Sequence, residues 1–194
     1  MNYLAHIYLS GANWELKFGN FIADSVPGKQ FNNYPEKIRK GILLHRAIDD
    51  FTDKHPIFRE HTKLLFKDYG HYSRVIVDMY YDHFLAALWS QYHSQNLEDF
   101  TIEFYALIDK EFDLLPHKIK RAFPYMKTQN WLLQYKTISG LELILEQMEK
   151  RTKFDSNLKK STSNLREDYD VFKNGFLLFF EDIQIFVSSK IESF

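Results

Sequence analysis

Glycine and proline are scarce in this sequence, which contains 7 Gly and 5 Pro in 194 residues. Both residues mark turns, and an all-β fold of short strands needs a turn signal about every 8–12 residues. The chain has too few such signals, so long helices are favoured. Apolar residues make up 45 % of the sequence, with 18 Phe and 12 Tyr, which is enough for a packed core. We therefore predict an all-α fold, a single compact multi-helix domain over residues 1–194.

Apolar periodicity and the positions of proline predict nine helices. They fall at residues 2–10, 13–25, 35–54, 56–67, 72–91, 97–112, 116–126, 138–152 and 165–188. The third must end near Lys54, because His55 precedes Pro56 and is biased away from helical dihedrals. In the last segment, VFKNGFLLFF and IQIFV are also compatible with strands.

The composition excludes several classes of function. The net charge of −1 gives no basic excess of the kind that binds nucleic acid. Cysteine is absent, which excludes disulfides, thiolate metal sites and cysteine nucleophiles. No run of eighteen apolar residues could span a membrane, and the start MNYLAHIYLSGANWE is a poor signal peptide. We expect a cytoplasmic protein with neither a membrane nor a nucleic-acid partner.

Charge is unevenly distributed after residue 95. Residues 98–113 are mostly acidic among their charged positions, and two basic groups follow within the region 114–160. The basic residues are Lys118, Lys120, Arg121 and Lys127, then Lys150, Arg151, Lys153, Lys159 and Lys160. Such groups are either solvated helix faces or a docking surface for an acidic partner.

The segment GILLHRAIDDFTDKHP carries the first candidate site residues. His45 and Asp49 are four residues apart, so a helix places them on one face, about 6 Å apart along its axis. Asp53 continues this row, and Arg46 lies on a neighbouring one. An imidazole and a carboxylate at this spacing are a common way to bind a divalent cation.

The segment VIVDMYYDHFLAALW places Asp78 and Asp82 on one helical face, with His83 beside them, in almost wholly apolar surroundings. Ionised carboxylates in such surroundings are costly unless they are paired or bound to metal. Two carboxylates on one stripe also repel each other unless a cation lies between them. The alternative to a metal is an ion pair with Arg46 or Arg74.

Two further residues could join the site. Asp24 ends the apolar helix of FGNFIADSVPGK, just before a turn that also carries Lys29. His6 belongs to a first helix that is otherwise largely apolar. Each has a structural alternative: Asp24 could cap the following turn, and His6 could be a hydrogen-bonded core histidine. Neither a phosphate-binding glycine loop, nor H-E-x-x-H, nor G-x-S-x-G occurs in the sequence.

Four segments in order and spacing resemble the acyl-carrier-protein phosphodiesterase family, which is regarded as a divergent branch of the HD-type helical phosphohydrolases. The segments are MNYLAHIYLS, GNFIAD, GILLHRAIDDFTDKHP and VDMYYDHFLAALW. HD-type enzymes have an adjacent His-Asp pair, whereas here Arg46 follows His45 and the only adjacent pair is the reversed Asp82-His83.

The resemblance implies a metal-dependent hydrolase of fatty acid metabolism. It would cleave 4′-phosphopantetheine from holo-acyl carrier protein, an acidic protein, to give the apo-protein, with Mn²⁺ or Mg²⁺ as cofactor. The family's polar motif positions fall on His6, Asp24, His45, Arg46, Asp49, Asp53, Asp78, Asp82 and His83.

On this basis we expect the metal to be held by a set of four ligands: Asp24, His45, Asp78 and Asp82. Asp49 or His83 would orient or deprotonate the attacking water, and Arg46, Lys29 or His6 would offset phosphate charge. The alternatives are an HD-like nucleotide phosphohydrolase, for example of a guanosine polyphosphate, or a non-catalytic helical binding module.

Overall fold

The computed structural model describes residues 1–152 and 156–194, and all regular structure within them is helical. The α-helices of these residues are α1 (Tyr3–Leu9), α2 (Trp14–Ile22), α3 (Glu36–Lys54), α4 (Pro56–Tyr69), α5 (Tyr72–Ala87), α6 (Trp89–Tyr92), α7 (Leu97–Lys110), α8 (His117–Thr128), α9 (Trp131–Gln134), α10 (Ile138–Glu149), α11 (Ser161–Glu167) and α12 (Tyr169–Glu192). Short 3₁₀ helices lie at Ala23–Ser25, Gln30–Asn33, Phe112–Leu114 and Leu158–Lys160. The all-α prediction is confirmed, and the segments that were also compatible with strands form α12.

The predicted boundary between the third and fourth helices is confirmed. His55 has extended dihedrals (φ −67°, ψ 131°), and Pro56 opens α4 at a position where its missing N–H costs nothing. The segment 72–91, predicted as one helix, breaks at Leu88 into α5 and α6. The break lets the indole of Trp89 pack 4.7 Å from the ring of Phe100.

The core is centred on α5 and α12. Met79, Tyr80 and Phe84 of α5 are fully buried, and the face that α12 turns inward is aromatic. The α12 residues Phe176 and Phe180 stack on each other with ring centroids 4.9 Å apart. Within residues 1–152 and 156–194, none of the helices combines the length and the hydropathy of a membrane-spanning segment.

Helices α2 and α3 approach each other closely through two glycines. A Cβ on Gly19 would lie 2.0 Å from the backbone oxygen of Ile38, and one on Gly41 would lie 2.4 Å from the oxygen of Leu16. Only glycine allows two helix backbones to come so near. This contact places the C-terminal end of α2 against the middle of α3, where His45 lies.

Helix α1 is attached to α5 through its N-terminus. The buried carboxylate of Asp82 accepts hydrogen bonds from the backbone N–H groups of Asn2 (3.1 Å), Leu4 (2.7 Å) and Ala5 (3.4 Å). The first N–H groups of a helix have no partner within the helix, so an acceptor here satisfies them. Asp82 thereby fixes the helix that carries His6.

Candidate active site

A cavity of about 710 Å³ opens beside the N-terminal helices. Its lining includes most of the polar residues that the sequence singled out, namely His6, Asp24, His45, Asp49, Asp53 and Asp78. The volume falls in the range of about 300–1,000 Å³ that is typical of small-molecule sites. The cavity is therefore the natural place for the predicted chemistry.

Four side chains within this cavity form what we call the His–Asp cluster: His6, Asp24, His45 and Asp49. Nε2 of His45 lies 3.1 Å from Oδ2 of Asp49 and 3.2 Å from Oδ1 of Asp24. Nε2 of His6 lies 3.2 Å from Oδ1 of Asp49, and the two imidazole rings stack with centroids 3.9 Å apart. The predicted pair four residues apart on α3 thus meets residues from α1 and from the turn after α2.

Asn20 orients His45. The backbone oxygen and the side-chain Oδ1 of Asn20 lie 2.9 and 3.0 Å from Nδ1 of His45, which therefore carries the proton. This leaves Nε2 directed at the carboxylates, the arrangement usual for a histidine that binds a metal. The amide nitrogen of Asn20 donates to the oxygen of His6 and to Ser10 Oγ, so Asn20 joins α1, α2 and α3.

The charges of the cluster depend on each other. Burial disfavours ionisation of Asp49, but hydrogen bonds from His45 and His6 outweigh it and hold its pKa well below the usual range. Burial also disfavours the charged form of His45, yet its two carboxylate partners raise its pKa to about 9. For His6, burial and the neighbouring His45 lower the pKa to about 4. Two ionised carboxylates with one shared positive charge leave the cluster net negative.

The donor set fits a divalent cation. One ring nitrogen each of His6 and His45 and a carboxylate oxygen of Asp49 all lie within 4.8 Å of one another. In an octahedral shell with bonds of about 2.1 Å, neighbouring ligand atoms are about 3.0 Å apart. The contacts of 3.1–3.2 Å in the cluster are close to this spacing. The two carboxylates supply negative charge and the two imidazoles supply neutral nitrogen donors, a combination that suits such a cation.

Asp78 and Asp82 have different partners from those the sequence suggested. Asp82 is fully buried and accepts hydrogen bonds from the N-terminus of α1. Burial raises its pKa to about 7, against the opposing effects of the Met1 amino group and the backbone N–H groups. Asp78 lines the cavity, and its Oδ1 accepts a hydrogen bond from the Met1 amino group at 2.6 Å. Neither pairs with Arg46 or Arg74 within the described chain. The two carboxylates do need partners, but backbone and amino groups supply them.

His83 and Arg46 do not line the cavity within the described residues. Nδ1 of His83 donates to the oxygen of Tyr135 at 2.8 Å, so His83 supports a residue of the cavity wall. Arg46 donates to the backbone oxygens of Val26 (3.0 Å) and Gly28 (2.8 Å), bracing the turn that follows Asp24. The structure thus places both side chains outside the cavity lining, in contact with Tyr135 and with the turn after Asp24.

Other predicted residues take part in surface contacts. Asp53 lines the cavity and pairs with Arg74 at 3.0 Å, and Lys29 is exposed on the turn. In the basic groups, Lys127 pairs with Asp109, while Lys150 and Lys159 both pair with Glu146. Lys153 lies outside the described residues.

Sequence reasoning missed several cavity residues. The sequence does carry a signal for Asn20, because a polar side chain within the apolar run FGNFI requires partners. Lys118 and Arg151 belong to the predicted basic groups, but nothing in the sequence distinguishes them from their neighbours. The cavity residues Trp131 and Tyr135 carry no recognisable sequence signal.

A family model described as acyl carrier protein phosphodiesterase matches residues 1–183. The chain belongs to the acyl carrier protein phosphodiesterase family. The resemblance carried by residues 1–90 is thus confirmed and extends along almost the whole chain, and the family is one of phosphodiesterase hydrolases.

Curated relatives of that name agree with this membership. The chain is 29 % identical to the Yersinia pestis acyl carrier protein phosphodiesterase over 181 residues, covering 93 % of this chain and 94 % of the relative. It is 28 % identical to the protein of that name from Photorhabdus laumondii, covering 93 % and 91 % of the two chains. For the Escherichia coli O9:H4 protein the identity is 28 %, with coverage of 98 % and 99 %. No solved structure matches the chain significantly.

Proposed function

We propose that this protein removes 4′-phosphopantetheine from holo-acyl carrier protein by hydrolysis of a phosphodiester. The observation that carries the proposal is the His–Asp cluster, which lies in a cavity of a chain from the acyl carrier protein phosphodiesterase family. In the reaction, water adds its oxygen to phosphorus and the bond from phosphorus to the serine oxygen breaks. The serine oxygen gains a proton, and 4′-phosphopantetheine leaves as a phosphate monoester.

We propose that His6, Asp24, His45 and Asp49 together hold Mn²⁺ or Mg²⁺. When bound, such a cation polarises a phosphoryl oxygen and lowers the pKa of water. This set keeps Asp24 and His45 from the sequence-based prediction. It replaces Asp78 and Asp82 by His6 and Asp49, because Asp82 already accepts three backbone hydrogen bonds and Asp78 pairs with the Met1 amino group. The likeness to HD-type enzymes stays a prediction.

Two basic side chains of the cavity are suited to bind the phosphate group. Lys118 and Arg151 both line it, and no carboxylate of residues 1–152 or 156–194 pairs with either. We propose that they bind the non-bridging phosphate oxygens and offset their charge, a role that the sequence had suggested for Arg46, Lys29 or His6. Arg74, in contrast, is already neutralised by Asp53.

The acidic carrier protein would dock at the part of the cavity that Lys118 and Arg151 line. Lys118 and Arg151 come from the two basic groups of the region 114–160, and they connect that region to the site. Charge complementarity of this kind accelerates encounter and selects partners. Within these groups, Lys127, Lys150 and Lys159 are partly neutralised by acidic neighbours, so we expect them to contribute less.

The proposal is tested with purified protein, Mn²⁺ and several holo-carrier proteins on a conformation-sensitive gel. We expect conversion of holo- to apo-protein, loss of conversion with a chelator, and at least a hundredfold lower rate for Asp49→Asn. The matched control is Asp50→Asn, since Asp50 is the adjacent exposed aspartate and pairs only with Lys54 within the described chain.

Other outcomes would overturn parts of the proposal. No conversion of any carrier protein would refute the substrate, and faster hydrolysis of a guanosine polyphosphate would favour the nucleotide alternative. A protein that binds no divalent ion and has no activity to lose on Asp49→Asn would be a helical binding module instead.

A further inference from the structure

One wall of the site cavity is apolar although the reaction takes place at a phosphate. Trp131, Tyr135, Ile144 and Met148 form what we call the apolar wall. Tyr135 and Ile144 are at least nine-tenths buried, and Trp131 and Met148 are half-buried. Neither the His–Asp cluster nor the basic side chains proposed to bind phosphate use this surface, so it is available to another part of the ligand.

The apolar wall is held in position by the surrounding structure. The backbone oxygen of Tyr135 accepts the hydrogen bond from His83, and the side-chain hydroxyl of Tyr135 lies 3.8 Å from the sulfur of Met79. The indole nitrogen of Trp131 donates to Oε1 of Gln129 at 2.9 Å. A wall with fixed side chains is preorganised, so little conformational freedom is lost when a ligand packs on it.

A second groove adjoins the apolar wall at Trp131. A smaller groove of about 280 Å³ shares Trp131 and Arg151 with the site cavity and is also lined by Tyr125, Gln129, Gln147 and Lys150. The side-chain amides of the two glutamines lie together, with Nε2 of Gln147 3.4 Å from Oε1 of Gln129. A ligand running along the wall would therefore reach aromatic surface and amide groups.

We propose that the apolar wall binds the pantetheine arm of the substrate and directs its thiol end past Trp131 towards the groove. This inference rests on the proposed function. On one side of the scissile phosphate is the carrier protein, which is too large to enter the cavity. On the other side is an uncharged, branched arm with amide groups, which matches an apolar wall followed by amide side chains. Discrimination between holo-carrier protein and other phosphodiesters would then depend on this wall.

The binding step is tested on the full chain without turnover. Of the three tryptophans, Trp131 is the one that lines the site cavity in the described residues. We expect 4′-phosphopantetheine with Mn²⁺ to change tryptophan fluorescence, and Trp131→Phe to abolish that change. Inorganic phosphate at equal concentration should give less than a tenth of it.

Wall variants supply the second measurement. Each buried methylene is worth roughly fourfold in affinity. If Ile144→Ala and Met148→Ala each remove one or two methylene contacts with the arm, each should weaken 4′-phosphopantetheine about 4- to 16-fold and raise KM for holo-carrier protein, with kcat nearly unchanged. The matched control is Leu143→Ala, because Leu143 is the preceding residue of α10 and is 53 % exposed.

The results separate this inference from the proposed function. If holo-carrier protein is converted but Ile144→Ala and Met148→Ala behave like Leu143→Ala, the wall does not bind the arm, while the proposed function stands. If adenosine monophosphate binds more tightly than 4′-phosphopantetheine, the wall is a nucleobase site and the inference fails. If 4′-phosphopantetheine binds through the wall but no carrier protein is converted, the proposed hydrolysis fails while the arm site is supported.

Discussion

Asp82→Asn tests whether this buried aspartate supports helix α1 or holds a metal. Asparagine has one acceptor oxygen where aspartate has two, and its NH₂ group would face a backbone donor. Either the Leu4 N–H, now 2.7 Å from Oδ2, or the Asn2 N–H, now 3.1 Å from Oδ1, then loses its partner. An unsatisfied buried donor costs about 1–3 kcal/mol, and the lost bond is charge-assisted.

We therefore expect Asp82→Asn to lower the free energy of unfolding by about 2–3 kcal/mol. For a chain of this size this corresponds to a fall in Tm of roughly 5–10 °C in metal-free protein. Because Asp82 is not in the proposed ligand set, saturating Mn²⁺ should still raise the Tm of the variant. Asp49→Asn should change the metal-free Tm little, because its side chain is 45 % exposed. It should lose the rise in Tm with Mn²⁺, because Asp49 lies in the His–Asp cluster.

Thermal unfolding followed by circular dichroism, with and without Mn²⁺, measures both effects in one experiment. The reasoning would be refuted if Asp82→Asn kept the metal-free Tm of the parent protein and lost the response to Mn²⁺. That result would restore Asp82 as a metal ligand, as the sequence alone had suggested.

Three further predictions concern buried residues of the fold and of the site. Gly41→Ala should lower the free energy of unfolding in urea by at least about 3 kcal/mol, because its Cβ would lie 2.4 Å from a backbone oxygen. The higher helix propensity of alanine does not offset this clash. The control Leu43→Ala, on the same helix but partly exposed, should cost far less. Asn20→Ala should weaken Mn²⁺ binding about 10- to 100-fold in a titration, since it frees His45 to rotate; unchanged affinity would contradict the orienting role. Burial lowers the pKa of His61 to about 4, so the folded protein holds its imidazole neutral. The contribution of this neutral imidazole to stability is fully present above pH 6.5 and is lost as the pH falls towards 4. Between pH 7.5 and 4.5 this amounts to roughly 2–3 kcal/mol of unfolding free energy, and His61→Gln should remove that part of the acid sensitivity.

The sequence was sufficient for the features that depend on neighbouring residues. Helical periodicity and the scarcity of turn residues predicted the all-α fold, and Pro56 predicted the end of α3, because these signals act within a few residues. The spacing of His45 and Asp49 put both on one helical face for the same reason. Four ordered motifs were enough to indicate the family.

Tertiary structure decided which polar residues meet. Asp78–Asp82 and His45–Asp49 have the same spacing, yet only the second pair lies in the His–Asp cluster. The difference arises because the N-terminus of α1 packs against Asp82, while the glycine contact of α2 with α3 brings Asp24 to His45. Such choices depend on contacts between residues far apart in the chain, which local patterns do not encode. The same holds for the basic groups, where packing alone determines which Lys and Arg side chains pair with a carboxylate and which line the cavity.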